Sequence, residues 1–205
     1  MEKFGDLESR YYDLGMSILC LPFGGERRFR DRLVELAGAK PGEDVLELGC
    51  GTARFTETLL RTNPGVQATG LDISPFMLGR AAQNTRGLDL SFLIADAGRI
   101  PLKSQSFDRI VAILALHEMP TPVRRESIEE CFRILRPRGE MVAVEFRKPE
   151  NILQRALDLM YFFEPPSRKE MLATGLDREM EIAGFQISSR RALGRGVLEI
   201  LTAVK

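Results

Sequence analysis

The stretch V-L-E-L-G-C-G-T-A-R-F-T, residues 45–56, constrains this 205-residue chain more than any other. Val45, Leu46 and Leu48 form the short apolar run that a strand buried on both faces requires. Gly49 and Gly51 leave no side chain where the backbone has to turn and a ligand has to come close. Thr52 to Arg61 reads as a helix, whose first turn would present backbone N–H groups without helical partners. Strand, glycine turn and helix in that order open a nucleotide-binding α/β unit. A second apolar strand, Gln67 to Leu71, runs into Asp72, about 20 residues past the glycines, where a carboxylate can accept hydrogen bonds from both ribose hydroxyls. Ser74 and Pro75 then start a helix as N-cap and first residue.

The details choose among nucleotides. A dinucleotide site asks for G-x-G-x-x-G, and the third position here is Arg54, too large for close packing of helix on strand. Glu47, just before the loop, repels a pyrophosphate but suits a ligand with an ammonium and a sulfonium. S-adenosylmethionine carries both, plus a ribose for Asp72. A glycine turn that only joins strand to helix is the plain alternative, and the paired downstream acid speaks against it. At 92–101, F-L-I-A-D-A-G-R-I-P ends a third strand in Asp96-Ala97, a carboxylate for an adenine amine beside apolar neighbours. F-D-R-I-V-A-I-L-A-L-H-E-M puts a fourth strand ahead of His117, and I-L-R-P-R-G-E-M-V-A-V-E-F-R-K-P gives a helix end, a turn and a fifth strand.

This ordered set resembles the class I S-adenosylmethionine-dependent methyltransferases. Within them it looks most like the ubiquinone/menaquinone-biosynthesis C-methyltransferases, over roughly residues 11 to 205. The specific echoes are Tyr12-Asp13, K-P-G at 40–42, E-F-R-K-P at 145–149 and, more weakly, the ending G-R-G-V-L-E-I-L-T-A-V-K. The resemblance implies an α/β fold: a Rossmann-like sandwich with a mostly parallel seven-stranded sheet, helices on both faces and an antiparallel last strand. It implies S-adenosylmethionine as cofactor, held by Glu47, Gly49, Gly51, Thr56, Asp72, Ile73, Asp96, Ala97 and Leu114. Tyr12 is a candidate acceptor contact that could close over the cofactor, with lid packing as the plainer role. Where the quinone enzymes usually carry Arg-Asn after the fourth strand, this chain has His117-Glu118, so the methyltransferase assignment is firmer than the quinone one.

Organisation fits a single domain, 1–205, with a helical lid over 1–36 and an α/β core with a C-terminal hairpin over 44–205. Helices are expected over Glu26 to Leu36, 150–166 and about 168–183, and strands near 185–191 and 196–204. Lys plus Arg and Asp plus Glu both total 29, so the net charge is zero and the basic excess of a nucleic-acid binder is missing. The basic run at 133–138 reads as a solvated helix end, and Arg27, Arg28 and Arg30 as a solvated helix face. Cys20, Cys50 and Cys131 are too scattered for a disulfide framework or a zinc site, so no metal is expected. Cys50 reads as a small filler of the turn. The charged N-terminus and the short apolar stretch Met16 to Phe23 offer neither signal peptide nor bilayer span, which points to a cytoplasmic protein; peripheral membrane contact stays open.

Ligands of such sheets sit over the C-terminal strand ends, where Glu47, Asp72, Asp96, Leu114 and His117 all fall. His117 is the only histidine, and its titration range suits a base that deprotonates a phenolic acceptor; pocket shaping is the plainer role. Glu118 is a candidate acceptor contact. Tyr161, Phe162 and Phe163 could line an acceptor pocket, although core packing is their default. Three functions remain open: methylation of a small apolar or aromatic acceptor such as a quinone precursor, phospholipid N-methylation at a membrane surface, and non-catalytic S-adenosylmethionine binding.

Overall fold

The computed structural model describes Cys20 and residues 24–152, 154–155 and 165–205. The expectations for Tyr12, most of the lid, Tyr161 to Phe163 and most of the 150–166 helix lie outside these residues. The elements are α1 (Glu26–Ala37), β1 (Asp44–Leu48), α2 (Arg54–Thr62), β2 (Gln67–Asp72), α3 (Pro75–Asn84), β3 (Leu90–Ile94), β4 (Phe107–Ile113), a 3-10 turn (Leu116–Glu118), α4 (Thr121–Ile134), β5 (Leu135–Phe146), α5 (Pro166–Thr174), α6 (Leu176–Ile182), β6 (Gln186–Leu193) and β7 (Leu198–Val204). They build a seven-stranded sheet of order β3-β2-β1-β4-β5-β7-β6. The first five strands in that order pair in parallel, and β7 runs antiparallel to both β5 and β6.

The period-2 alternation of strand side chains divides the core into two layers. Leu46, Leu48, Ile110, Ala112, Met141 and Ala143 meet Ile128 and Ile134 of α4 and Met171 and Met180 of α5 and α6. Val45, Val111, Val142 and Val144 meet Phe29 and Leu33 of α1 and Phe55 and Leu59 of α2 on the opposite face. Helices on both faces explain why these strands read as near-continuous apolar runs.

At the N-terminal rim of the parallel strands, Arg109 is buried and donates to Glu43 (3.0 Å) and Glu140. Arg136 bridges Asp44 (2.8 Å) and Asp108 (2.5 Å), and Arg133 donates to the carbonyls of Ile100 (2.9 Å) and Leu102 (2.8 Å). The basic run therefore ties strand and loop ends together instead of being a solvated helix end. This cross-linked rim faces away from the strand termini where a ligand sits. Among the described residues no helix is long and apolar enough to cross a membrane.

Three boundaries differ from the sequence reading. Helix α2 starts at Arg54, because Gly51 and Ala53 both take left-handed backbone (φ 51° and 55°) and lengthen the turn. The last helix is broken into α5 and α6 at Gly175 (φ 82°). Strand β3 stops at Ile94, which leaves Asp96 and Ala97 on the loop beyond it.

Candidate active site

The site begins with how β1 ends. Gly49 has φ 66°, and a Cβ placed on it would lie 2.6 Å from Cβ of Ala115. Only a glycine lets the turn after β1 pack directly against the segment after β4. A cavity of about 420 Å³ opens over the C-terminal ends of β1, β2 and β4. Of the residues marked out in the sequence, Gly49, Gly51, Asp72 and Ile73 line it from one side, and Asp96, Ala97, Leu114 and Glu118 complete the ring.

Asp72 is fixed before any ligand arrives. Its Oδ2 accepts the Gly51 N–H (2.8 Å) and its Oδ1 accepts the Ser74 N–H (2.9 Å). Each carboxylate oxygen has a further lone pair. Ser74 also caps α3, its hydroxyl accepting the Met77 N–H (3.3 Å). Beside Asp72, Ile73 is 69% exposed yet forms part of the cavity wall, an open apolar surface. Asp96 is exposed as well, one oxygen held by the Gly98 N–H (2.9 Å).

The turn between β1 and α2 spends several of its N–H groups on the protein itself. The Cys50 N–H bonds to the Leu71 carbonyl (2.9 Å), the Gly51 N–H to Asp72, the Ala53 N–H to the Cys50 carbonyl (2.7 Å) and the Thr56 N–H to Glu47 Oε2 (3.2 Å). Four N–H groups between residues 50 and 56 are thus used by the protein, two of them by carboxyl groups. The Asp72 carboxylate on this rim disfavours a pyrophosphate and favours a cationic donor. The fit to S-adenosylmethionine is of that kind: two acids spaced along one rim, an open apolar surface at Ile73 and a turn with no side chains in the way.

Glu47 and Thr56, expected at the cofactor, are not brought to the cavity. Alternation along β1 sends Glu47 to the same face as Val45, toward α2, where the Thr56 N–H and hydroxyl both donate to its carboxyl. Burial pushes its pKa up to about 8, against the Thr56 bonds and with a smaller push from Asp72. Cys50 is buried under the turn with its thiol pKa raised by burial, the inert filler the sequence suggested.

The β4 side supplies the opposite wall. Leu114 takes left-handed backbone (φ 51°), and its N–H bonds to the Val144 carbonyl (2.8 Å). The chain then enters the 3-10 turn, which presents Glu118 to the cavity and continues into Met119 and Pro120 on the same wall. His117 points the other way. It is 3% exposed, does not line the cavity, and its Nδ1 lies 2.8 Å from Oε2 of Glu145. Its ring stands edge-on to Phe146, centroids 4.9 Å apart. The base role expected of His117 needs contact with an acceptor, and a buried carboxylate draws the ring inward, away from the cavity surface.

Sequence reasoning missed Met77, Ala115, Met119 and Val123, which also line the cavity; small and apolar side chains carry no chemical signature. It also missed Glu145, noticed only as one letter of E-F-R-K-P.

A mostly parallel sheet of this order, with a glycine turn after β1 and an acid closing β2 on one rim, defines a Rossmann-like methyltransferase fold. Residues 45–139 match the methyltransferase domain family. The chain is 31% identical to an uncharacterized methyltransferase of Synechocystis over 94% of its own length and 90% of the relative's. It is 30% identical to a demethylmenaquinone methyltransferase of Mycobacterium sp. (strain JLS), over 98% and 91%. The crystal structure of an Aquifex aeolicus S-adenosylmethionine-dependent methyltransferase superposes with a TM-score of 0.69 at 20% identity, covering 85% of this chain and 88% of that one. The chain belongs to the S-adenosylmethionine-dependent methyltransferases, and S-adenosylmethionine is its cofactor.

Proposed function

We propose that this enzyme methylates a ring carbon of a small quinol-type acceptor. The observation that carries the proposal is the composition of the β4-side wall: Leu114, Ala115, Met119 and Val123 make it apolar, and Glu118 is its one carboxylate among the described residues. A flat, apolar ring with one or two hydroxyls matches such a wall. The Mycobacterium relative, named a demethylmenaquinone methyltransferase, supports the same acceptor class.

In this reading Asp72 accepts from both ribose hydroxyls, Asp96 from the adenine amine, and Ile73 and Ala97 cover the ring. Bound S-adenosylmethionine supplies a methyl group on an already activated sulfonium. The chain's task is to align acceptor carbon and methyl and to keep water out. With the adenosine acids on the β2 and β3 side of the glycine turn, the acceptor's side is that of β4 and β5. Glu118 is placed to accept from an acceptor hydroxyl, which holds the ring and raises the electron density of its carbon. His117 acts from behind the wall.

The test is methyl incorporation from labelled cofactor into a short-chain demethylmenaquinol, a simple phenol and phosphatidylethanolamine vesicles, run in parallel. Label in the quinol alone is expected; label in the phospholipid alone, or in no acceptor despite bound cofactor, would overturn the proposal.

A further inference from the structure

We propose that Glu145 is a positioning residue that fixes the tautomer of His117 and the course of the wall facing the acceptor. Alternation along β5 places Glu145 on the face of Met141 and Ala143, beneath the turn after β4, where it is 1% exposed. A buried carboxylate is costly unless both oxygens find donors. Here Oε1 accepts the Leu116 N–H (2.7 Å) and Oε2 faces Nδ1 of His117 (2.8 Å). From α5, the Ser167 hydroxyl donates to the His117 carbonyl (2.6 Å). From α4, Arg124 donates to the Met119 carbonyl (2.9 Å). Residues 116–119 are therefore gripped by three elements, and the two that reach the cavity, Glu118 and Met119, follow directly from the gripped pair Leu116-His117.

The carboxylate does what an apolar residue of equal size could not. A carboxylate at 145 only accepts, so Nδ1 carries a proton, and in the neutral ring the lone pair lies on Nε2. A glutamine at 145 has a single acceptor oxygen. The Leu116 N–H takes it, and the amide NH₂ then faces Nδ1, which must become the acceptor. Glu145→Gln thus keeps the shape of the side chain and reverses the tautomer. Leu114, whose N–H is held by Val144 and not by Glu145, keeps its place on the cavity wall.

Because His117 is the only histidine, ¹⁵N imidazole spectra of the untagged protein read its tautomer without assignment. The expected result is the Nδ1–H form in the wild type and the Nε2–H form in Glu145→Gln. Kinetics with a short-chain demethylmenaquinol should show kcat/KM for the acceptor falling about tenfold or more in the variant, as for other residues that orient a functional group from behind. The cofactor Kd should stay within about twofold. If Glu145→Gln does not fold, Ser167→Ala is the second variant; it should lower acceptor kcat/KM with the Nδ1–H form retained. An Nε2–H form in the wild type would overturn the assignment. So would a reversed tautomer with unchanged acceptor kinetics, or a cofactor Kd that weakens in step with kcat/KM. The kinetic readout rests on the quinol reading; if the wild type ignores the quinol, that reading fails while the tautomers still decide the role of Glu145.

Discussion

Asp72 is where substitution should separate cofactor binding from folding most clearly. Its two oxygens each hold one loop N–H, from Gly51 at 2.8 Å and Ser74 at 2.9 Å, and each has one lone pair left for a ribose hydroxyl. Hydrogen bonds to a charged group are worth about 1.5–3 kcal/mol each. Asp72→Asn turns one oxygen into a donor, so one ribose bond is lost and an amide NH₂ is set against a loop N–H. The expected weakening is about 10- to 100-fold in Kd, since about 1.4 kcal/mol is tenfold. Asp72→Ala loses both ribose bonds, about 3–6 kcal/mol in all, and the cofactor Kd should rise by more than about 100-fold. Both variants leave loop donors short of partners, which should cost about 1–3 kcal/mol of stability. Isothermal titration calorimetry with S-adenosylmethionine, beside a thermal unfolding curve for each variant, reads the two effects separately. Folded Asp72→Ala binding cofactor within a few-fold of wild type would refute the reasoning.

Three further outcomes are expected. Glu47 has a folded pKa near 8, above its unfolded value of 4.5, so the folded state holds the extra proton between those values. Its contribution to stability is full below about pH 4.5 and is lost as pH rises through 8; denaturant titrations of wild type and Glu47→Gln should show that decline only in the wild type. Arg124 is 0% exposed and pairs with Glu179 through Nε (2.7 Å) and Nη2 (3.0 Å). Arg124→Met leaves that carboxylate with the Thr174 hydroxyl (2.8 Å) and Arg125 (3.8 Å) alone among the described residues and should cost about 3 kcal/mol in urea unfolding, while the double variant with Glu179→Leu should recover most of the loss. His117→Ala should lower turnover and leave cofactor affinity nearly unchanged, measured by methyl transfer and calorimetry; a parallel collapse of affinity would place His117 in the cofactor site's own framework.

The sequence was legible where physics is local. Apolar runs, the glycine turn and the Ser74-Pro75 helix start gave the strands, the turn and α3 nearly where they lie, and Asp72, Asp96 and Leu114 do converge on one cavity. Backbone sign is not legible: nothing in T-A-R announces that Ala53 takes left-handed backbone, so the sequence alone places the start of α2 two residues early. Glu47 illustrates a subtler limit. Its type and spacing suited a cationic ligand, but strand parity turned it toward Thr56, and parity could have been read from Val45. The pairing of Glu145 with Leu116 and His117 joins residues about thirty apart across β4 and β5, a register that only the folded sheet sets. The antiparallel hairpin of β6 and β7 came from family resemblance, because a strand's direction leaves no mark on its own residues.

The most direct measurement is calorimetric titration of the untagged wild-type protein with S-adenosylmethionine and, separately, with NAD. A rim that carries the Asp72 carboxylate and commits the Gly51 and Thr56 N–H groups to Asp72 and Glu47 should bind the cationic adenosyl compound one to one and leave the pyrophosphate compound unbound. Saturable binding of NAD with none of S-adenosylmethionine would contradict the account at its root.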